Sequence, residues 1–375
     1  VWRAREQDLS RAPRFDCAAL PRLEIEGVEE TDGDALIVYG VLRCVDGACG
    51  ARFPIIDGVP MIVANVRDLI ERDGDALLRR TDLPEGVEGF IAAAMGPGGK
   101  FDRARLYTGA YAWDHYGSGG GAGGEGGDAV RVLRRLVEMG GGLGVGSEVG
   151  GVGGVIDAGC ATGGVSLELG AMVGEASDRA LVLGVDMHLG MLRVAQSALR
   201  TGEVVYPLRR EGLVYDRVRV AVDARRMAHA GRVDFWCCDA MALPIASASV
   251  DACVTLHTLD AVASPAGLLA ELSRVTRDKG RVLLASPFDW TQSVTAMENW
   301  LGGHSEHAPH RGEGASVLEM LLSGGASGIE LGGSGIDRLR VIARGDMEWR
   351  VRLYARAMTH YRTHMIACEV REPMA

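Results

Sequence analysis

Asp157, Asp186 and Asp239 each close a short apolar run, in "VID", "LGVD" and "WCCD". A carboxylate at the end of a buried strand can accept hydrogen bonds from a ligand lying across the strand tips. The first acid precedes "AGCATGG". The small residues of Gly159–Gly164 let backbone approach a ligand, and the helix that follows is expected to aim N–H groups at a negative group. Asp186, in "LGVDMHLGML", suits the paired hydroxyls of a ribose. Asp239, followed by the small Ala240, suits an exocyclic amine such as adenine N6. A fourth run, "DACVTLHTLD", ends near His257, whose imidazole suits a general base toward a weakly acidic acceptor. Asp260 or Asp289 could share that role, and His257 could instead hold backbone or ligand by a hydrogen bond. Segment 286–303, "SPFDWTQSVTAMENWLGG", is polar and aromatic where a plain connecting helix would be amphipathic. Asp289, Trp290, Thr291 and Trp300 are its substrate-pocket candidates, with core packing the competing role for the two tryptophans.

These residues need strands to end where the acids stand. Strands are expected at 155–158, 181–186, 233–237, 250–256 and 281–286, and helices at 163–172, 189–200 and 265–277. Ser264 as N-cap, Pro265 at the first helical position, and Leu268, Leu269, Leu272 and Val275 on one face mark the last helix. Such alternation implies an α/β fold, an open, doubly wound sheet with helices on both faces. "VVYPLRREGLVYDRVRV" reads as a β-hairpin insertion near 204–221, turning at Glu211-Gly212, and the tail can supply closing strands. Asp128 reads as the N-cap of a helix over 128–139. Upstream, 1–66 reads as a small β module with a turn at Asp57-Gly58. Residues 67–127 read as a helical lid and glycine-rich linker, with Tyr107, Tyr111 and Tyr116 as lid residues.

A nicotinamide dinucleotide could use the first two acids, but would favour glycine at Ala161, where a pyrophosphate must approach closely. A ligand with one carboxylate, a ribose and an adenine meets all three tips, and S-adenosylmethionine is that ligand. The blocks "VIDAGCATGG", "GVDMHLGML", "CCDAMALPIASASVDACVTLHTLDAV" and "ELSRVTRDKGRVLLASP" resemble the class I S-adenosylmethionine-dependent methyltransferases of the ubiquinone/menaquinone type, over roughly 155–290. The resemblance implies a Rossmann-like, seven-stranded, mostly parallel sheet with an antiparallel last strand, in a domain over 128–375. It implies that Asp157, Gly159, Thr162 and Gly163 line the methionine end and that Asp186 binds ribose. Met187 would pack near the adenine, Asp239 and Ala240 would contact it, and Leu256 and His257 would lie near the methyl group. Segment 286–303 is loosely similar to the methyltransferase domain of ovothiol synthases, which implies an imidazole-like nitrogen among the acceptors. An oxygen nucleophile is equally open.

"LRCVDGACGARFPIIDGVPMIV" resembles the small zinc-binding activator subunit of tRNA and release-factor methyltransferases. Its Cys44 and Cys49 want two more thiolates for a tetrahedral zinc site, and the preceding sequence offers only Cys17. The module is therefore expected to keep the zinc-ribbon-like fold without the metal.

The chain carries a net charge of −10, which disfavours a nucleic-acid substrate. No apolar run is long enough for a membrane span, and the first residues do not read as a secretory leader. The eight cysteines then read as reduced thiols, and a cytoplasmic location is expected. His304, His307 and His310 read as a solvated loop. His360 and His364 share a face in helix or strand, but lack the Glu of a zinc-hydrolase motif. The expected activity is methyl transfer to a small-molecule acceptor. A non-catalytic binding or activator protein built on the same fold is the alternative, and a nicotinamide-dependent oxidoreductase the third.

Overall fold

Alternation of apolar strands and helices carries through to the computed structural model, which describes residues 23–32, 36–45, 50–56, 58–61, 80, 83–117, 127–145, 153–177, 179–323 and 336–372. The chain divides into two units, Val1–Tyr107 with Pro207–Arg217, and Thr108–Tyr206 with Val218–Ala375.

The first unit opens with β1 (Leu23–Asp32), β2 (Leu36–Cys44), β3 (Arg52–Ile56) and β4 (Val59–Pro60), an antiparallel sheet in sequence order. Gly58, at φ +76°, turns the chain between β3 and β4, while Asp57 lies outside the described residues. α1 (Glu85–Met95) and the start of α2 (Lys100–Tyr116) follow. Tyr39 and Ile56 of the sheet pack with Val87, Ile91 and Phe101 of these helices, a small apolar core. Tyr215 donates to Asp102 Oδ1 at 2.7 Å, and the Arg105 guanidinium lies 4.1 Å over the Tyr215 ring. Of the three cysteines proposed for zinc, Cys17 and Cys49 lie outside the described residues. Cys44 is buried at the end of β2, its N–H bonded to Ala51 O. Among the described residues no cluster of three or more His, Cys, Asp or Glu could hold a metal ion, and no helix is long and apolar enough to cross a membrane.

The second unit contains α3 (Ala129–Met139), β5 (Gly154–Ala158), α4 (Gly164–Ala176), β6 (Leu181–Asp186) and α5 (Leu189–Thr201). The hairpin β7 (Glu203–Glu211) and β8 (Val214–Ala221) comes next, its Pro207–Arg217 part belonging to the first unit, with Gly212 at φ +53° in its turn. Then follow α6 (Ala224–Ala228), β9 (Val233–Cys237), β10 (Val250–Leu256), α7 (Pro265–Val275), β11 (Thr276–Ser286), α8 (Gly314–Leu322), β12 (Leu339–Tyr354) and β13 (Ala357–Val370). Seven strands form one sheet in the order β12-β13-β11-β10-β5-β6-β9. β13 alone runs against the direction of the other six strands. This is the doubly wound, Rossmann-like arrangement, with strand order reversing between β5 and β10, where such sheets open a ligand crevice.

β10 is buried at every position, as a strand covered on both faces must be. Ile156, Cys253, Leu284 and Ile366 of the sheet share a core with Leu268, Leu269 and Leu272 of α7. Ser264 caps α7, its Oγ accepting from Gly267 N at 3.1 Å, with Pro265 in the first turn. β11 starts five residues before the expected 281, because the polar "TRDKG" already pairs through Thr276 with Val250. Asp128 precedes α3 without capping it. Asp114 Oδ1 instead accepts from the N–H groups of Asp128 and Ala129, at 2.9 and 3.3 Å. This leaves the Asp128 carboxylate free to bind Arg131 and Arg350.

Candidate functional site

The tips of β5, β6, β9 and β10 surround a cleft of about 280 Å³. It is lined by Gly159 and Ala161 from the turn after β5, Asp186, Met187 and His188 after β6, Cys238, Asp239 and Ala240 after β9, and Leu256, His257 and Thr258 after β10. Asp186 is held by two backbone donors, Ala161 N to Oδ2 at 2.9 Å and His188 N to Oδ1 at 2.7 Å. Each oxygen keeps a further lone pair for a ligand hydroxyl. Asp239 Oδ1 accepts from Met241 N at 2.8 Å, which fixes the turn after β9. Met187 is 67% exposed, an apolar side chain left open beside these acids. His188 starts α5, its Nδ1 accepting from Met191 N.

The turn after β5 is more closed than its sequence suggests. The N–H groups of Gly159 and Cys160 both bond to Val185 O, and that of Gly163 to Cys160 O. Gly164 N donates to Nδ1 of the buried His115 at 3.0 Å. Three turn N–H groups are thus taken by backbone carbonyls, and the first helix N–H by the His115 side chain. Gly159 has no substitute: at φ +82° it occupies the left-handed region, and a Cβ there would fall 2.1 Å from Thr258 Oγ1. Gly163 is constrained likewise, at φ +84° and against the Phe235 ring. Asp157 points into the sheet and accepts from Ser166 Oγ at 2.6 Å. Burial pushes its carboxyl up to about 7. Asp157, Thr162 and Gly163 thus shape the turn without lining the cleft.

Behind His257, which lines the cleft, lie aromatic side chains. The His257 ring lies against Trp349 at 3.6 Å between centroids and meets Tyr361 edge-on at 5.4 Å. Its Nε2 is 2.8 Å from Thr363 Oγ1, which leaves Nδ1 as the ring nitrogen for the cleft. Burial pushes the imidazole down to about 3. Burial thus favours the uncharged ring, which suits the hydrogen-bonding role of His257 better than that of a general base. Trp349 Nε1 donates to both oxygens of Asp114, at 3.0 and 2.9 Å. Tyr111 lines the cleft, its hydroxyl pushed up to about 12 by burial and by the charges of Asp114, Tyr361, Asp186 and Asp260.

With this geometry, residues 156–284 match the family model described as a methyltransferase domain. The match spans about a third of the chain and includes β5 through most of β11. No curated protein matches the chain significantly. Similar solved structures include a methyltransferase from Methanosarcina mazei (17% identity, 60% of this chain and 95% of that one, TM-score 0.35). Another comes from Aquifex aeolicus (16%, 65% and 90%, TM-score 0.35). A third is the YcgJ protein of Bacillus subtilis (15%, 64% and 99%, TM-score 0.36).

Within the segment matched by that family model, Gly159, Asp186, Met187, Asp239, Ala240, Leu256 and His257 come together at the cleft. Segment 286–303 does not line it. Trp290 and Trp300 stack on each other, 6.0 Å apart and 13° from parallel, and Trp300 Nε1 donates to Thr295 O. Thr291 is exposed. Asp289 reaches the domain's aromatic side indirectly, accepting from Tyr361 at 3.3 Å, while its N–H donates to Asp260 Oδ2. Of the lid tyrosines, Tyr111 lines the cleft, Tyr116 donates to Thr162 O at 2.7 Å, and Tyr107 is exposed. Sequence reasoning missed Thr258, Met191 and Cys238 at the cleft, although each lies within a few residues of a named strand tip. It also missed Trp349, Tyr361 and Thr363, which no local pattern marks.

Proposed function

We propose that the chain is an active S-adenosylmethionine-dependent methyltransferase acting on a small-molecule acceptor. The observation that carries this reading is the convergence of Asp186, Asp239-Ala240 and the Gly159–Ala161 turn on one cleft, with His257 and Tyr111 opposite. The residues suit the cofactor's chemistry. Asp186 keeps lone pairs for two ribose hydroxyls, and Asp239 can accept from the adenine amine beside a side chain no larger than Ala240. Met187 offers an apolar surface to the base, and Gly159 keeps the turn free of a Cβ. When bound, the cofactor supplies an electrophilic methyl group on a sulfonium.

The chain's own residues then orient the acceptor and exclude water, the main work in an in-line displacement. His257, uncharged, offers Nδ1 as a hydrogen-bonding partner and holds its ring by Thr363 and Trp349. An acceptor whose lone pair is free at neutral pH, such as an imidazole nitrogen, needs no stronger base. Asp289 reaches this side only through Tyr361. Among the described residues the cleft lining contains no Lys or Arg, which favours a neutral or cationic acceptor over a phosphorylated one. The domain is read as 128–375, preceded by a lid and linker over 67–127 and by the zinc-ribbon-like module over 1–66.

Titration calorimetry with S-adenosylmethionine and its demethylated product tests the site, and mass spectrometry of an acceptor panel tests turnover. Binding of neither sulfur ligand sinks the reading. Binding with no turnover on any acceptor favours a non-catalytic binding protein.

A further inference from the structure

Cys237 and Cys238 are adjacent, free, and placed where the cleft begins. Cys237 ends β9, the edge strand of the sheet, and is exposed. Its thiol lies 3.8 Å from the carbonyl oxygen of Met187, itself a cleft residue. Cys238 is half-buried, lines the cleft, and directly precedes Asp239 and Ala240. The other described cysteines, Cys44, Cys160, Cys253 and Cys368, are all buried. The accessible thiols of the described chain therefore form a vicinal pair, built into the segment that carries two proposed adenine contacts.

We propose that Cys237 and Cys238 form a modification site for low-molecular-weight disulfides, whose oxidation to a vicinal disulfide closes the cofactor cleft. The cofactor part of this proposal rests on the reading given above. The exposed Cys237 thiolate attacks a disulfide RSSR, forming Cys237–S–SR and releasing one thiolate. The Cys238 thiolate then attacks the Cys237 sulfur, forming the intramolecular S–S bond and releasing the second. Two protein thiols lose two electrons and two protons, and RSSR becomes two RSH. Burial, with the neighbouring Cys237 and Asp239, raises the pKa of the Cys238 thiol.

Backbone geometry couples this chemistry to the cleft. Successive side chains of an extended strand point to opposite faces, and adjacent Cα atoms stand about 3.8 Å apart, closer than a relaxed disulfide prefers. Closing the ring turns the 237–238 peptide and moves Asp239 and Ala240 with it. The thiol of Cys237 also leaves the Met187 carbonyl. A bond formed under such strain is readily reduced, so the modification is reversible by ordinary thiols.

The test treats the full chain with oxidised glutathione and follows three readouts. Peptide mass spectrometry should find a 237–238 peptide lighter by two hydrogens. Hydrogen exchange should change over residues 237–241. Affinity for S-adenosylmethionine should fall by about tenfold or more and recover with dithiothreitol. Cys237→Ser and Cys238→Ser should each prevent the intramolecular bond. Absence of the 237–238 disulfide, while Cys237 exchanges with glutathione, overturns the proposal. So does a disulfide that leaves exchange over 237–241 unchanged, or leaves the affinity of a binding-competent chain unchanged. If the reduced chain binds no S-adenosylmethionine, the cofactor reading fails, and the disulfide and exchange readouts decide this proposal alone.

Discussion

The two sides of the cleft solve the same problem with opposite materials. On the side of β5, β6 and β9, carboxylates are fixed by backbone N–H groups of adjoining turns, as Ala161 and His188 fix Asp186. On the side of β10 and β13, an uncharged imidazole is fixed by side chains, with Trp349 on its face and Thr363 on its Nε2. The first side depends on chain geometry within a few residues. The second depends on strands more than a hundred residues apart meeting in register. On the proposed function, local turns would hold the cofactor and long-range packing would shape the surface that faces the acceptor.

The largest expected break falls on the backbone-built side. Gly159→Val puts a branched Cβ at φ +82° against Thr258, and should lower S-adenosylmethionine affinity by about a hundredfold or more through strain and displacement of the turn. Calorimetry checks this, with circular dichroism confirming that the fold remains. Asp186→Ala should follow, at roughly 10- to 100-fold, since each hydrogen bond to a carboxylate contributes about 1.5–3 kcal/mol. A variant that binds normally removes Asp186 from the site.

His257→Ala tests the packed side and should separate the two. Cofactor affinity stays within about twofold while kcat falls by about tenfold, on the scale of a lost positioning bond. Because burial holds His257 near 3, the pH–kcat profile of the parent should show no inflection from it between about pH 5 and 8. An inflection near 6.5 that disappears in the variant would restore His257 as the proton acceptor.

Much of this was legible in the chain, and unevenly so. The strand tip at Leu256 falls where the apolar run stops, because burial on both faces ends there. Ser264 and Pro265 marked α7 through cap chemistry that acts over three residues. The position before α3 was readable from Asp128, but its bonding was not, because the cap comes from Asp114 on another helix. Trp290 and Trp300 looked like a pocket by composition, and their stacking on each other depends on a loop path that composition does not encode. His257 was readable as a polar residue at a strand end. Its neutrality was not, since the ring is enclosed by residues of β12 and β13.

Two buried groups sharpen the comparison by titration. His257 has a folded pKa near 3 against an unfolded value near 6.5, so below about pH 6.5 the unfolded chain alone takes up the proton and stability falls with pH. Asp157 is held near 7 against about 3.8 unfolded, so its burial costs stability as pH rises toward 7 and costs less on acidification. In urea melts between about pH 4 and 6, His257→Gln should gain on the parent as pH falls, by about 1.4 kcal/mol per unit. Asp157→Asn should lose on the parent by a similar slope. Equal slopes in all three chains would mean that neither group is buried in its stated form.

The smallest effect is expected at the rim. Tyr361→Phe removes a 3.3 Å bond to the exposed Asp289 and keeps the ring beside His257. It should cost no more than about 1 kcal/mol of stability and leave cofactor affinity unchanged. A larger loss in kcat than in stability would place Asp289 closer to the chemistry than its exposure suggests.

The place of β13 in the sheet also sets an order of events in time. It lies between β11 and β12 and carries Thr363 to His257 across 106 residues of sequence. At a ribosomal pace of roughly 5–20 residues per second, several seconds separate the synthesis of His257 from that of its partner. During that interval the nascent chain already holds every strand tip that carries a cleft acid, while the slot beside β11 waits for its neighbour. β12 and β13, paired with each other over most of their length, can enter that slot as one hairpin. Cofactor present during translation would then meet a half-built cleft, and pulse-labelled chains stalled before and after β13 would differ first in the protection around His257.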